Sequence, residues 1–212
     1  MGRRKDHSRE MLEQMIIESA WKIVGDAGGA AVTARRIAAD IGYTPGTIYN
    51  VFRSMDDVIL RINGRTLDEL YTILSDVSLQ NQADTPVTRM KAMARRYLKF
   101  AQDYRPYWLL LFHQGNTPPI AQADWYADKV CRLFLPLEQI LTPFFAASHT
   151  ELLEDAARTL WASVHGICYL QETGKIDFAY QKPDTTKLMD HLIDTYMAGL
   201  NHILTSPLRT CS

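Results

Sequence analysis

The sequence predicts an all-α protein in which a short N-terminal three-helix segment precedes a larger helical bundle. Apolar residues recur at three- and four-residue spacing along almost the whole chain, and no stretch shows the apolar–polar alternation of a half-buried strand. Glycine and proline punctuate these periodic stretches. At 212 residues, 47% of them hydrophobic, the chain has enough apolar surface for a well-buried core.

In REMLEQMIIESAWKIVGDAGG the residues Leu12, Met15, Ile16, Ala20, Ile23, Val24 and Ala27 follow a helical period, and Gly28-Gly29 supplies the stop, giving a first helix of about five turns. Next comes TARRIAADIGYTPGTIYNVF, residues 33–52, which reads as two short helices. Thr33 caps the first, Ile37, Ala38 and Ile41 share one side of it, and Gly42 can take the left-handed conformation that ends it. Thr44 can cap the second, Pro45 suits its first position, and Ile48 and Phe52 face inward. Ser54 and Asp57 form a capping box, after which Val58, Ile62, Leu70, Ile73, Leu74 and Val77 carry a long fourth helix as far as QNQADTP at 80–86. Further helices are predicted at about 86–103, 106–115, 121–146, 150–174 and 185–205, punctuated by Pro106, Pro118-Pro119, Gly174 and Pro183. There is no internal repeat and no low-complexity tract.

The break at Gly42 lets one short helix cross another, and the second is short enough to lie in a DNA major groove. Its outward residue types suit that use. Arg35, Thr44, Thr47, Tyr49 and Asn50 are donors able to reach phosphates or base edges, while Pro45 and Gly46 allow close backbone approach. Spacing alone also fits an ordinary αα-hairpin in which Arg35 and Arg36 are merely solvated. The net charge of −1 gives no general argument for a polyanionic partner, so a nucleic-acid surface has to be local. Residues 1–65 carry about +2 and the remainder about −3, an asymmetry of the right sign.

The run TARRIAADIGYTPGTIYNVFRSMDDV resembles the N-terminal DNA-binding segment of the TetR family of bacterial repressors. The shared pattern is a Thr-capped helix, the pair IA, a Gly turn, a GTLYYHF-like helix and an acidic, apolar continuation; it covers residues 9 to about 60. The resemblance implies that Thr33 and Arg35 contact DNA from the second helix and that Thr44, Pro45, Gly46, Thr47, Tyr49 and Asn50 are presented by the third. There are two departures. Met55 stands where the family usually has a phosphate-binding lysine, and Tyr43 where it often has valine; Arg53 is the expected substitute for the lysine. The domain organisation that follows is a helix-turn-helix domain at 1–53, a connecting helix at 54–80 and a ligand-binding and dimerisation domain at 81–212.

Beyond residue 60 the likeness is local: LWASVHGICYLQETG at 160–174 is similar to the Trp-xxx-His-Gly segment of a TetR C-terminal subgroup. Trp161 and His165 share a helix face, either as a pocket wall with His165 as polar anchor or as packing residues with a satisfied imidazole. Between 104 and 134 the aromatics Tyr104, Tyr107, Trp108, Phe112, Trp125, Tyr126 and Phe134 cluster with His113, as in an ordinary core or an apolar pocket. Given the resemblance, Trp108, Phe112, His113, Trp125, Tyr126, Trp161 and His165 are the expected ligand-binding residues. Cations are sparse here, which favours an apolar or weakly polar ligand over a strongly anionic one. The last two helices have broad apolar faces, Leu152, Ala156, Leu160 and Val164 on one and Leu188, Leu192, Tyr196, Leu200 and Ile203 on the other. Met189, Ile193, Met197 and Leu204 widen the second face beyond one intrachain contact. The resemblance implies a four-helix dimer interface, with Leu160, Val164, Leu188, Leu192, Tyr196 and Leu200 as its expected residues and a palindromic double-stranded operator as the partner of the homodimer.

Other classes fare worse. There is no GxGxxG, Walker loop or HExxH, and His165 and Cys168, three apart on one helix, lack a third orienting group, so no enzyme is expected. Cys131, Cys168 and Cys211 form no CxxC or metal-ligand spacing; free thiols in a reducing cytosol, with no metal and no cofactor, are expected. MGRRK opens like a signal peptide but DHSREMLEQ continues as polar and amphipathic, and the longest apolar run, YWLLLF, is too short for a bilayer. The expectation is a cytoplasmic, ligand-responsive repressor without a membrane partner. A helical adaptor without DNA binding and a ligand-binding activator stand as alternatives.

Overall fold

The computed structural model describes residues 7–79, 83–112, 124–146, 148–178 and 184–205, with the backbone alone described for 77–79, 178 and 205. Among these residues every regular element is helical: α1 Arg9–Ala27, α2 Ala34–Ile41, α3 Pro45–Val51, α4 Met55–Leu79, α5 Pro86–Asp103, α6 Arg105–Leu111, α7 Asp124–Arg132, α8 Leu135–Leu141, α9 Thr150–Glu172 and α10 Thr185–Thr205. None of the helices is long and apolar enough to cross a membrane. The chain divides into two compact units, one of residues 1–69 with 104–129 and one of 70–103 with 130–212.

The first unit is built on a core from α1 (Ile16, Ala20, Ile23, Val24), α2 (Ala34, Ile37, Ala38), α3 (Ile48), Phe52 and α4 (Val58, Ile62). Burying each large aliphatic side chain contributes about 1.5–3 kcal/mol, enough to hold short helices that would not persist alone. Capping sets their ends. The Ser8 hydroxyl accepts from the Met11 amide at 3.3 Å to start α1, and the Thr33 hydroxyl accepts from the Arg36 amide at 3.2 Å to start α2. Of the Ser54–Asp57 box one half forms, the Asp57 amide donating to Ser54 at 3.2 Å, while the Asp57 carboxylate accepts from the amide of Arg53, one residue before the cap, at 3.1 Å. Gly42 adopts φ 75°, ψ 33°, and the Tyr43 amide donates to the Ala38 carbonyl at 2.8 Å, which closes α2 and turns the chain into α3. Thr44 occupies the cap position of α3, but its hydroxyl lies 3.3 Å from that of Thr47 and caps no amide.

Helix α6 docks on α1 within this unit. Tyr107 stacks on Trp21 at 4.0 Å between centroids and donates its hydroxyl to the Trp21 carbonyl at 3.1 Å. Leu110 lies so close to Gly29 that a Cβ there would meet it at 2.5 Å. On α4 the same is true of Gly64, where a Cβ would stand 2.7 Å from the Trp125 ring. Lys129 of α7 donates to Asp68 of α4 at 2.6 Å.

In the second unit α5, α8, α9 and α10 pack about one another. Met90, Met93, Ala94, Tyr97 and Leu98 of α5, Ile140 and Leu141 of α8, Ala156, Ala157, Leu160, Val164 and Cys168 of α9 and Met189, Ile193 and Met197 of α10 are buried. The single helix expected at 121–146 is two helices and a 3-10 turn. Pro136 in the first turn of α8 lacks an amide proton and its ring would collide with the carbonyl of Arg132, so α7 ends there; Pro143 sits in the first turn of the 3-10 segment Thr142–Phe144. Gly174, at φ 68°, closes α9.

Candidate DNA-binding surface and effector cavity

The two short helices of the first unit put their apolar residues inward and their polar residues in solvent. Ile37, Ala38 and Ile48 are at most 1% exposed and Phe52 is 6% exposed, so α2 and α3 are fixed to α1 by one side only. Thr33, Arg35, Thr44, Pro45, Gly46, Tyr49, Asn50 and Arg53 are exposed on the other side, and Thr47 is half-buried. Tyr49 is 53% exposed, although Ile48 beside it on the same helix is fully buried. Of the residues expected on this surface, Thr47 alone is not exposed. Met55, by contrast, is half-buried and packs against the core of the unit. Neither spacing nor pattern pointed to His7, whose Nδ1 lies 2.6 Å from the Tyr43 hydroxyl in the turn between α2 and α3. Arg9 likewise reaches the end of α3, donating to the Val51 carbonyl at 3.1 Å.

The expected ligand-binding residues do not form one set. Trp108, Phe112, Trp125 and Tyr126 belong to the first unit and Trp161 and His165 to the second; His113 lies outside the described residues. Trp108 is fully buried against Phe112, at 5.2 Å between centroids, and Trp125 is covered by the Arg61 guanidinium at 4.9 Å. The second unit holds an apolar cavity of about 40 Å³. Its wall includes Met90, Met93 and Tyr97 of α5, Leu137 of α8, Leu160, Trp161 and Val164 of α9 and Ile193 of α10. Trp161 is thus the one expected ligand-binding residue on this wall. His165 stands behind it, stacked on Trp161 at 5.1 Å and 11°, with its Nδ1 2.8 Å from the Tyr97 hydroxyl. Burial holds the His165 imidazole below its ordinary value, which favours the neutral ring beside the Tyr97 hydroxyl.

Leu160 and Val164, expected at a dimer face, are 2% and 7% exposed and line the cavity instead. The inward stripe of α9 contains them, so they have no surface to offer a partner. On α10 the inward stripe is Met189, Ile193 and Met197, which leaves Leu188, Leu192, Tyr196 and Leu200 half-buried along its flank. The Tyr196 hydroxyl donates to the Ala156 carbonyl at 3.3 Å. Leu152 and Ile203 are 52% and 70% exposed.

A family model described as "Bacterial regulatory proteins, tetR family" matches residues 16–62, and one described as "Tetracyclin repressor-like, C-terminal domain" matches residues 90–196. The chain belongs to the TetR family. Members are transcriptional regulators that bind DNA, and this TetR-family chain is a helix-turn-helix protein and not an enzyme. Burial fits that conclusion at Cys168, whose thiol it pushes up to about 12, far from a nucleophile's range. A curated HTH-type transcriptional regulator of Mycobacterium tuberculosis is 21% identical over 79% of this chain and 73% of its own length. Among solved structures, a protein from Rhodococcus sp. RHA1 superposes with a TM-score of 0.69 at 17% identity, over 94% of this chain and 100% of the other. Thermus thermophilus FadR, a TetR-family repressor in complex with lauroyl-CoA, gives a TM-score of 0.63 at 16% identity, over 94% and 98%. RolR in complex with resorcinol gives 0.60 at 16%, over 96% and 98%. At these identities the superpositions establish the fold.

Proposed function

We propose that this TetR-family regulator is a homodimeric repressor that binds a palindromic operator and is released by a small apolar or weakly polar molecule. The observation that carries the reading is the outward face of α2 and α3. It gathers Thr33, Arg35, Thr44, Pro45, Gly46, Tyr49, Asn50 and Arg53 in solvent over a core that buries Ile37, Ala38, Ile48 and Phe52. Donors on so short a helix suit a major groove, Asn50 by pairing with adenine and Arg35 and Arg53 by neutralising phosphate. The cavity bounded by Met90, Met93, Leu160, Trp161 and Ile193 supplies the apolar environment for the effector. The similar proteins hold lauroyl-CoA, an apolar acyl chain on an anionic coenzyme, and resorcinol, a small diphenol. The described cavity is too small for such a molecule as it stands, so binding would require the bundle to open and would favour a state that releases DNA. Residues 1–53 would recognise DNA, 54–80 connect and 81–212 bind the effector and the partner copy through Leu188, Leu192, Tyr196 and Leu200.

A gel shift with the DNA upstream of the protein's own gene tests the core of this reading. A retarded band that resists excess random DNA is expected. Binding that random DNA displaces at equal concentration would remove the operator from the proposal, and no band at any salt concentration would remove DNA binding altogether.

A further inference from the structure

Helix α3 is held by few of its own residues. It has seven, Pro45–Val51; Ile48 alone is fully buried, Thr47 and Val51 are half-buried, and the Thr44 hydroxyl caps no amide. A two-turn helix has little stability by itself, so its orientation has to come from what grips its ends. The start of α1 grips both. Nδ1 of His7 lies 2.6 Å from the hydroxyl of Tyr43, in the turn before α3, and the two rings stand 6.1 Å apart between centroids. Two residues on, the Arg9 guanidinium donates to the Val51 carbonyl at 3.1 Å. That carbonyl belongs to the last turn of α3, where carbonyls lack a helical partner and a cation is favoured. The two links span 36 and 42 residues of chain, so neither comes from local helix formation and each requires α1 to lie across α3.

Tyr43 is one of the two departures from the TetR pattern, standing where valine is common, and a valine side chain could make no such bond. We infer that His7 and Arg9 are positioning residues for operator recognition, holding the two ends of α3 to the start of α1 through Tyr43 and the Val51 carbonyl. This rests on the operator-binding reading above. Neither residue needs to touch DNA. Paired contacts to base edges demand side chains held within about 0.5 Å and 10–20° of their productive geometry, whereas a phosphate is neutralised by a cation from many positions. A loosened α3 therefore loses base reading by Asn50 and keeps most of its contacts to the DNA backbone.

The test measures the affinity of the full-length chain for the duplex upstream of its own gene and for a random duplex, each over a range of salt. Tyr43→Phe removes the hydroxyl and keeps the ring; it should weaken binding to the upstream duplex by about two- to tenfold, the worth of one hydrogen bond, and leave the random duplex unchanged. His7→Ala should do the same, and His7→Ala/Tyr43→Phe should be no worse than the more damaging single variant, because both remove one link. His7→Asn keeps a hydrogen-bonding group near the place of the ring Nδ1 and should recover part of the loss. Arg9→Ala should also lower affinity for the upstream duplex while the salt slope stays, and Arg9→Lys, which still carries a donor for the Val51 carbonyl, should restore it. A slope flattened by about 0.9 per subunit in Arg9→Ala would make Arg9 a phosphate contact and refute its positioning role. Equal losses on the two duplexes, or additive losses in the double variant, would overturn the role of the His7–Tyr43 link. A wild type with no preference for the upstream duplex would sink the operator-binding reading, and the positioning role with it.

Discussion

Gly42→Ala isolates what the break between α2 and α3 requires of the backbone. Gly42 has φ 75° and ψ 33°, and a Cβ placed on it would meet nothing within 4 Å, so the substitution introduces no collision. What remains is conformational. A non-glycine residue in the left-handed region costs about 1–2 kcal/mol, and alanine recovers about 0.4–1 kcal/mol by restricting the unfolded chain, leaving a net loss of about 0.5–1.5 kcal/mol. Urea denaturation followed by tryptophan fluorescence can measure this, since Trp21, Trp108 and Trp125 all lie in the first unit. Gly42→Asn should restore most of the loss, because asparagine tolerates the same region. Gly64→Ala provides the opposite case: its Cβ would stand 2.7 Å from the Trp125 ring, so packing and not backbone would be disturbed, and no asparagine rescue is expected. If Gly42→Ala matched or exceeded the wild type in stability, or if Gly42→Asn were equally damaging, the left-handed turn would not be what fixes α3 against α2.

Four further outcomes are expected. Asn50→Ala should weaken operator binding by about 1–3 kcal/mol with little effect on stability, measured by titration against operator and random duplexes; an equal loss on both would make Asn50 a backbone contact. Leu192→Glu should place an unpaired charge in the dimer interface and yield monomer by sedimentation, whereas a monomeric wild type at micromolar concentration would refute the interface. Met55→Lys should steepen the dimer's salt slope by about 1.8, the lysine stem replacing the packing of Met55 while its ammonium reaches solvent; an unchanged slope would mean that the position does not face phosphate. Because burial lowers the pKa of His165 in the folded state, the unfolded chain binds its proton first; stability should fall as pH drops from about 6.5 through the lowered folded value. His165→Gln should remove that part of the pH dependence in urea titrations, and an undiminished dependence would assign it to other groups.

Much of this fold was legible because the signals were local. Thr33 and Ser54 cap helices through their own neighbours within a turn, and Gly42 needs only its own dihedral angles. The outward set on α2 and α3 followed from the period of Ile37, Ile48 and Phe52, since fixing the buried side fixes the other. The failures share a cause as well. Leu160 and Val164 sit on an apolar stripe, and a stripe alone does not say whether its cover is another helix of the same chain or of a partner copy. On α10 the same ambiguity put Met189, Ile193 and Met197 outside the intrachain contact they in fact make. The aromatics between 104 and 134 are close in sequence, but Trp108 and Trp125 belong to one unit and Phe134 to the other. His7 could not have been found by pattern, because its partner Tyr43 is thirty-six residues away.

The first unit is assembled from two stretches of the gene that are not adjacent. Leu110 fills the hollow over Gly29, Tyr107 covers Gly25, and Trp125 lies on Gly64, so the surface left by residues 1–69 has the shape of the segment that returns to it. A recombination event with a single crossover anywhere between 70 and 103 would join this N-terminal piece to a foreign return segment, and the glycine hollows would then receive side chains not cut to fit them. Exchange of recognition specificity is easier by substitution on the exposed side of α3, which touches none of these hollows. In such a molecule new operators would be acquired by point mutation, and new effector halves only when their returning segment fits the hollows over Gly25, Gly29 and Gly64.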